Sequence, residues 1–335
     1  MVEIANELSD LGFKIALLTN CNSSNFYFLK DNISVIELIH KKSTRRVSRI
    51  LFSIYKIIQI RRTILNLNPR SVLSFVTKTN VSVILALFFT SIRVVVSERS
   101  DPSLDTTIGR SLAILRRLTY RFADLVVVQT SEISDWTRTN TNSTVKVIPN
   151  PVRDLPTHTS TKPEKIILST GRLSREKGFD ILIKAFALCH NNLNGWKLII
   201  VGSGGEKQSL ETLISETGLV GVIEIHDATK FIDDWYFKSL IFVQSSRFEG
   251  MPNSLLEAMA HGLSVIATLN AGSSIITHQE DGLLVPSESV SDLADAIALL
   301  VDNVDLRNRM GKKALRVRQR FASSLVMPMW IDVLK

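Results

Sequence analysis

Residues 240–260 read LIFVQSSRFEGMPNSLLEAMA, a pattern that predicts a buried strand, a turn and a helix, in that order. Gly250 permits a tight turn, and Pro252 suits the first turn of a helix, where its missing N–H costs nothing. Glu249 lies in the turn and Glu257 lies in the helix. Because the free N–H groups at a helix start favour a phosphate, the segment suits a ligand that contains a phosphate and a sugar. An ordinary amphipathic helix with solvated acids is the alternative.

Short apolar runs alternate with longer helical patterns along almost the whole chain. This rhythm is typical of right-handed βαβ units, which build parallel sheets. With 335 residues the chain is long enough for two domains, so we predict an α/β fold with two sheets. The predicted strands are 14–19, 71–75, 94–97, 125–129 and 145–148 in the first sheet, and 165–170, 197–201, 222–225, 240–243, 264–267 and 283–285 in the second.

A linker is predicted between the two sheets. The Pro-Asn-Pro run at 149–151 and the polar stretch at 157–163 break both the strand and the helix periodicity. We therefore predict an N-terminal domain at 1–152 and a C-terminal domain at 153–318. A last helix at 319–335 is expected to pack back on the N-terminal domain.

The composition is that of a globular protein. Hydrophobic residues make up 45% and charged residues 21% of the chain, and no run is apolar for long enough to span a membrane. The opening residues lack a secretory signal pattern, so we expect a cytoplasmic location. Cys21 and Cys189 lie far apart without metal-ligand spacing and are expected to be free thiols.

The net charge of +8 is concentrated in the first half of the chain. Residues 1–150 contain 20 Lys and Arg against 11 Asp and Glu, whereas the other residues contain 20 against 21. An anionic membrane surface or a lipid-linked substrate fits this basic half, and a solvated basic helix is the alternative. Nucleic acid is not expected, because no zinc-finger spacing or aromatic RNA-binding signature is present. The basic residues of the amphipathic pattern are Lys41, Lys42, Arg45, Arg46, Arg49, Lys56, Arg61 and Arg62.

Two other loops that follow predicted strands carry candidate ligand-binding residues. The segment 171–178, GRLSREKG, places Arg172 and Lys177 between a strand and a helix, where they could clamp a diphosphate. A surface loop with ordinary charges is the alternative. Gly202 and Gly204 in VGSGG would let backbone approach a ligand, but their spacing fails the dinucleotide fingerprint, and a tight turn explains them equally well.

The order and spacing of these three motifs resemble those of the nucleotide-sugar domain of family-4 retaining glycosyltransferases. The pattern Glu-x7-Glu is present as Glu249 and Glu257, and GLLV at 282–285 is similar to a later strand of that family. The segment at 147–151 resembles the hinge strand, and SERSDP at 97–102 resembles a loop of bacterial capsule and exopolysaccharide transferases of the amylovoran-biosynthesis type. The resemblance implies the GT-B fold, with two Rossmann-like parallel-sheet domains facing across a cleft.

The resemblance also implies roles for the motif residues. Arg172 and Lys177 are assigned to the donor diphosphate and Glu249 to the donor sugar, and these three are the predicted catalytic residues. Glu257 is expected to bind the ribose hydroxyls. The other predicted donor-binding residues are Gly171, Gly202, Gly204, Gly250, Met251, Asn253, Ser254 and Leu255.

The implied activity is hexosyl transfer with retention from a nucleoside-diphosphate sugar, with uridine diphosphate (UDP) expected, to a lipid-linked oligosaccharide. The implied setting is bacterial surface polysaccharide synthesis, by a protein peripheral on the inner face of the membrane. No cofactor or metal is expected, because cations and a helix dipole stabilise the leaving diphosphate. Glu98 and Arg99 are candidates for the acceptor side. Two alternatives are a nucleotide-sugar-binding protein without transferase activity and a GT-B nucleotide-sugar epimerase.

The start of the chain departs from the family's pattern. Family members open with a strand and a Gly-Gly loop, followed by a helix that resembles residues 2–11. Both opening elements are missing here, so we expect a vacant position in the first sheet and a misplaced start or truncated gene. A fold that begins with a helix is the alternative.

Overall fold

The computed structural model describes residues 2–19, 29–38, 46–155 and 162–335. The chain forms two compact units, Met1–Pro149 with Ser324–Lys335, and Asn150–Ser323. Each unit combines parallel strands with helices, so the predicted α/β class is confirmed.

The first unit contains two sheets among its described residues. Strands β1 and β2 form a two-stranded sheet, and β3 to β6 form a four-stranded sheet in chain order; the strands are β1 (Ala16–Thr19), β2 (Ser34–Glu37), β3 (Ser71–Phe75), β4 (Arg93–Ser97), β5 (Leu125–Val128) and β6 (Val145–Val147). The sequence did not predict β2, which is short and largely exposed. The helices are α1 (Val2–Asp10), α2 (Arg46–Leu67), α3 (Thr77–Leu87), α4 (Arg110–Thr119) and α5 (Ser131–Thr141).

The second unit is built on one sheet of six parallel strands. These strands are β7 (Ile166–Thr170), β8 (Lys197–Val201), β9 (Ile223–His226), β10 (Ile241–Gln244), β11 (Ser264–Thr268) and β12 (Leu283–Val285). The helices are α6 (Phe179–Cys189), α7 (Lys207–Thr217), α8 (Ile232–Lys238), α9 (Asn253–Ala260), α10 (Leu269–Gly272), α11 (Val290–Asp302), α12 (Val304–Ala314), α13 (Val317–Arg320) and α14 (Ser323–Leu334), of which α14 packs in the first unit.

Helices cover both faces of the central strands, which explains why these strands are continuous apolar runs. In β5, Val126 and Val128 pack in one cluster with Ile84 of α3, whereas Val127 packs on the other face with Trp330 of α14. Alternate side chains of a strand point to opposite faces, so a strand buried on both faces is apolar throughout.

The strand order of the second sheet places a switch point at its centre. The order is β12-β11-β10-β7-β8-β9, so the chain moves outward in one direction from β7 and in the other direction from β10. In open parallel sheets, ligands bind beyond the carboxyl ends of the strands at such a point. The loops after β7 and β10 are the two segments singled out from the sequence, 171–178 and 245–252.

Candidate active site

The structure joins Lys177 and Glu249, which are predicted site residues from the two loops at the switch point. The Lys177 Nζ atom lies 2.5 Å from Glu249 Oε1, and the two side chains are only 16% and 15% exposed. Ser246 Oγ donates a second hydrogen bond to Glu249 Oε1 at 2.8 Å, and Gln244 Nε2 donates to Ser246 Oγ at 2.6 Å. A half-buried cation is therefore held in a fixed position at the carboxyl ends of β7 and β10.

Backbone contacts hold the two loops together. Ser245 Oγ donates to the carbonyl of Lys177 at 3.0 Å, and the N–H of Arg247 donates to the carbonyl of Glu176 at 2.8 Å. Gly178 has a φ of +64°, and a Cβ atom there would lie 2.1 Å from the carbonyl oxygen of Ser245. Glycine is thus required at this position by both its backbone conformation and the close approach of the second loop.

We expect Gly178→Ala to destabilise the second unit by more than positive φ alone explains. Gly195→Ala is a matched control, because Gly195 has a φ of +74° with open space around its Cβ position. The control should lower the free energy of unfolding by about 1–2 kcal/mol, and Gly178→Ala by about 3 kcal/mol or more, since backbone must also shift. Urea unfolding followed by circular dichroism measures both. Equal losses would show that the close approach does not matter.

Gly202 and Gly204 contact the chain's own backbone. A Cβ atom at Gly202 would lie 1.8 Å from the carbonyl oxygen of Gly171, and one at Gly204 would lie 2.2 Å from that of Leu173. The N–H of Leu173 also donates to the carbonyl of Ser203 at 3.0 Å. These glycines are needed for the packing of the two loops, and their donor-binding role stays a prediction.

The start of α9 is anchored by Asn150, a residue that the sequence analysis placed only in the linker. Asn150 Nδ2 donates to the carbonyl of Met251 at 2.9 Å and to Asn253 Oδ1 at 2.8 Å. The helix begins at Asn253, so Pro252 precedes its first turn instead of lying within it. The side chain of Leu255 is buried, which leaves only its backbone N–H for a ligand.

The side chain of Ser254 faces the same strand end as Glu249. Ser254 Oγ donates to Gln244 Oε1 at 2.7 Å, and Gln244 is the last residue of β10. The amide of Gln244 thus connects the first turn of α9 to the hydroxyl that bonds to Glu249. Two of the residues predicted from the segment after β10, Glu249 and Ser254, are therefore linked by one chain of hydrogen bonds.

Glu257 is held by two residues that the sequence analysis did not select. Arg153 Nε donates to Glu257 Oε1 at 3.2 Å, and the hydroxyl of Tyr236 donates to Glu257 Oε2 at 3.2 Å. Arg153 is fixed in turn by Asp233, to which its two terminal nitrogens donate at 2.5 and 3.1 Å. Asp233 therefore helps to position Glu257 through Arg153.

The surroundings of Tyr236 keep its hydroxyl protonated. Burial and the neighbouring Glu257 carboxylate raise the pKa of Tyr236 well above its usual value. The ring of Tyr236 stacks on the ring of His261 with centroids 4.8 Å apart. Tyr236 therefore stays a hydrogen-bond donor to Glu257 across the physiological pH range.

Arg172 has a different environment from the other predicted catalytic residues. Its side chain is 73% exposed, and one terminal nitrogen lies 3.4 Å from Glu176. An exposed pair of this kind contributes little to stability. Arg172 is therefore accessible to an anionic ligand, and its catalytic role stays a prediction.

Glu98, a candidate for the acceptor side, lies in the first unit and is 2% exposed. It accepts hydrogen bonds from Thr77 Oγ1 at 2.9 Å and from the hydroxyl of Tyr120 at 2.8 Å, and a nitrogen of Arg116 lies 3.8 Å away. Burial raises the pKa of the Glu98 carboxyl above its usual value, and this effect outweighs the lowering by Tyr120, Arg116 and Thr77. The described contacts give this carboxyl a structural role.

Arg99, the other candidate, stacks on aromatic rings of the same unit. Its guanidinium carbon lies 4.8 Å from the centre of the Phe75 ring and 5.7 Å from that of the Trp330 ring. Burial lowers the pKa of Arg99 to about 10, so the side chain is still charged at neutral pH. Binding of an acceptor by either residue stays a prediction.

Part of the predicted basic surface falls outside the described residues. Lys41, Lys42 and Arg45 lie there, as do Cys21 and the first part of the polar linker, and the side chains of Arg46 and Arg49 are not described either. Arg61 donates to the carbonyls of Ala86 and Phe88 at 2.6 and 3.0 Å. Arg61 therefore serves packing within the first unit.

Neither a membrane-spanning helix nor a metal-binding cluster is present among the described residues. Within the four described ranges, no helix is both long and apolar enough to cross a membrane. The same part of the chain contains no group of three His, Cys, Asp or Glu side chains that could hold a metal ion.

Comparison with known proteins identifies related sequences. The family model described as Glycosyl transferases group 1 matches residues 154–317. An uncharacterized glycosyltransferase of Haemophilus influenzae is 25% identical over 99% of this chain and 94% of its own length. A second relative, 24% identical over 100% of this chain and 93% of its own length, is the GalNAc-alpha-(1->4)-GalNAc-alpha-(1->3)-diNAcBac-PP-undecaprenol alpha-1,4-N-acetyl-D-galactosaminyltransferase of Campylobacter jejuni. The amylovoran biosynthesis glycosyltransferase AmsD of Erwinia amylovora is 31% identical over 50% of this chain and 47% of its own length.

Solved structures of related architecture show the fold. Sucrose-phosphate synthase from Thermosynechococcus elongatus superposes with a TM-score of 0.85 at 18% identity, over 99% of this chain and 90% of that one. Anabaena Alr3699/HepE in complex with UDP and glucose superposes with a TM-score of 0.79 at 18% identity, over 96% of this chain and 99% of that one. The predicted GT-B fold, with two Rossmann-like parallel-sheet units, is confirmed.

Proposed function

We propose that this chain, whose residues 154–317 belong to the group 1 glycosyl transferases, transfers a hexose with retention from a UDP-sugar to a lipid-linked oligosaccharide. The observation that carries the proposal is the position of the Lys177–Glu249 pair and of Glu257 beyond the carboxyl ends of β7 and β10. The Campylobacter relative is named for an undecaprenol-linked acceptor, and the HepE structure holds UDP and glucose, which supports both substrate classes.

The arrangement offers a separate contact for each part of the donor. Lys177 and the free N–H groups at the start of α9 are suited to the diphosphate, because both present positive charge to the same strand ends. Glu257, whose orientation is fixed by Arg153 and Tyr236, is suited to accept hydrogen bonds from the ribose hydroxyls. Glu249 is left to contact the hexose.

The chemical step requires stabilisation of the leaving group. The bond between the anomeric carbon and the diphosphate oxygen breaks, the acceptor oxygen bonds to the same face of that carbon, and the acceptor proton is released. The electron pair of the broken bond stays on the diphosphate, where Lys177 and Arg172 offset the growing negative charge. Because Glu249 and Ser246 hold Lys177 in place before the donor binds, little reorganisation is needed.

A donor screen by thermal shift, followed by a transfer assay, tests the proposal. UDP-sugars should raise the melting temperature of the wild type more than that of Arg172→Ala or Glu257→Ala. Addition of a lipid-diphosphate-linked oligosaccharide should then give a product extended by one sugar, with the anomeric configuration of the donor. Binding without product for any acceptor favours the binding protein, and turnover of donor without acceptor favours the epimerase.

We expect the transfer rate to be unchanged after treatment with EDTA. Lys177, Arg172 and the start of α9 supply the positive charge that a divalent ion would otherwise bring to a diphosphate. The measurement is the initial rate with and without chelator, with added Mg²⁺ or Mn²⁺ as the control. A rate that is lost with EDTA and restored by either ion would contradict the proposed mode of leaving-group stabilisation.

A further inference from the structure

Helices α2, α3 and α4 of the first unit form a layer without negative charge. Helix α3 contacts both α2 and α4, and all three contribute to the cluster on one face of the four-stranded sheet. Their sequences contain no Asp or Glu. The Lys and Arg residues of this layer with described side chains are Lys56, Arg61, Arg62, Lys78, Arg110, Arg116 and Arg117.

The ends of α3 and α4 expose a cluster of large apolar side chains. Phe89, which follows α3, is 93% exposed, and Phe122, which follows α4, is 49% exposed. The ring of Phe88 connects them, with its centroid 4.3 Å from that of Phe89 and 5.0 Å from that of Phe122. Leu85 and Leu118 are also exposed and lie in the last turns of α3 and α4, next to these rings in the chain. We call these five residues the aromatic cluster.

Cations border the aromatic cluster. The guanidinium carbon of Arg121 lies 4.9 Å from the centre of the Phe122 ring. Arg62 is exposed on α2, whereas the guanidinium carbon of Arg117 lies 5.8 Å from the centre of the Trp136 ring of α5. Arg61 ties α2 to the end of α3 through the carbonyls of Ala86 and Phe88, so the turn of α2 that carries Arg62 lies close to Phe88.

Exposed phenylalanines surrounded by arginines fit one type of partner surface. An isolated exposed apolar residue is common, but a group of exposed aromatic rings in edge-to-face contact indicates an interaction site. The partner must accept apolar side chains and carry negative charge next to them, because the layer itself supplies only positive charge. The interface of a bilayer with anionic lipids has both properties.

We propose that the aromatic cluster, with Arg62 and Arg121, docks the first unit on an anionic bilayer. The phenylalanines enter the region between head groups and acyl chains, and the arginines contact lipid phosphates. This inference deepens the proposed function, since a lipid-linked acceptor is presented at such a surface. It also assigns a membrane contact to the ends of α3 and α4.

Flotation with vesicles tests the inference. Vesicles of phosphatidylcholine with roughly one-third phosphatidylglycerol should bind the full chain, and neutral vesicles should bind it weakly. Phe89→Ser should weaken vesicle binding about tenfold, and Arg121→Ser roughly fivefold. Phe89→Trp should retain binding, because tryptophan favours the bilayer interface.

Phe231→Ser is the matched control, because Phe231 is 74% exposed but lies in the second unit. This control should bind vesicles as the wild type does. Equal binding by Phe89→Ser and the wild type, or no binding by the wild type, would overturn the inference. So would a lower molecular mass of Phe89→Ser without vesicles, which would show that a second copy covers the cluster. UDP binding, measured separately without lipid, should be the same in Phe89→Ser and the wild type, and its absence from the wild type would count against the proposed function alone.

Discussion

Replacing Lys177 with methionine is expected to lower the turnover number for sugar transfer by about 10²- to 10³-fold. The loss arises because Lys177 is a half-buried cation aimed at the position proposed for the leaving diphosphate. Methionine keeps much of the side-chain volume and removes the charge. The measurement is the steady-state rate at saturating UDP-sugar, because a transition-state contact affects turnover more than donor affinity.

Two further variants separate catalysis from stability in this experiment. Lys177→Met alone leaves the Glu249 carboxylate without its cation, so it should also lower the melting temperature. The double variant Lys177→Met, Glu249→Gln should recover much of that stability and none of the turnover. Lys184→Met, on the exposed side of α6, should behave like the wild type. If the double variant recovered turnover together with its melting temperature, the Lys177–Glu249 pair would have a structural role only.

Replacing Glu257 with alanine is expected to weaken UDP binding by about 10- to 100-fold, the usual cost of losing hydrogen bonds to a charged group. The wild type should bind UDP more tightly than an analogue that lacks the ribose hydroxyls. In Glu257→Ala this preference should vanish, because the group that distinguishes the two ligands is gone. Calorimetric titration of both ligands measures the ratio of the two dissociation constants.

The same ratio tests whether Arg153 positions Glu257. Arg153→Met removes the donor to Glu257 Oε1 and the partner of Asp233. The preference for ribose hydroxyls should therefore fall in Arg153→Met, even though this residue is not proposed to touch the donor. Glu216→Ala, an exposed change on α7, serves as the control and should keep the wild-type ratio. An unchanged ratio in Arg153→Met would remove the positioning role.

The fold was predictable because its central strands are buried on both faces. Strands such as β8, with the sequence KLIIV, are continuous apolar runs, and their predicted bounds agree with the structure. Strand β2 could not be found in this way, because the sequence SVIE is short and its burial pattern is mostly exposed. Apolar patterning thus predicts the interior strands of a sheet better than a short exposed strand.

The sequence predicted the site residues that belong to local motifs and missed those that do not. Glu249 and Lys177 follow predicted strands, and parallel strands place their carboxyl ends at one edge, so their meeting follows from local patterns. Arg153 and Tyr236 are far from Glu257 in sequence and belong to no motif, so only the folded chain shows that they contact it. Asn150 gave one signal, its place between two prolines, which indicated a linker and not an anchor for α9.

A crystal structure of the protein with bound UDP tests the central claim most directly. The proposed function predicts the diphosphate within hydrogen-bonding distance of Lys177 Nζ and of N–H groups at the start of α9. It also predicts the ribose hydroxyls on the carboxylate of Glu257, with Arg153 and Tyr236 still bonded to it. UDP bound away from the carboxyl ends of β7 and β10, with the Lys177–Glu249 pair untouched, would contradict it.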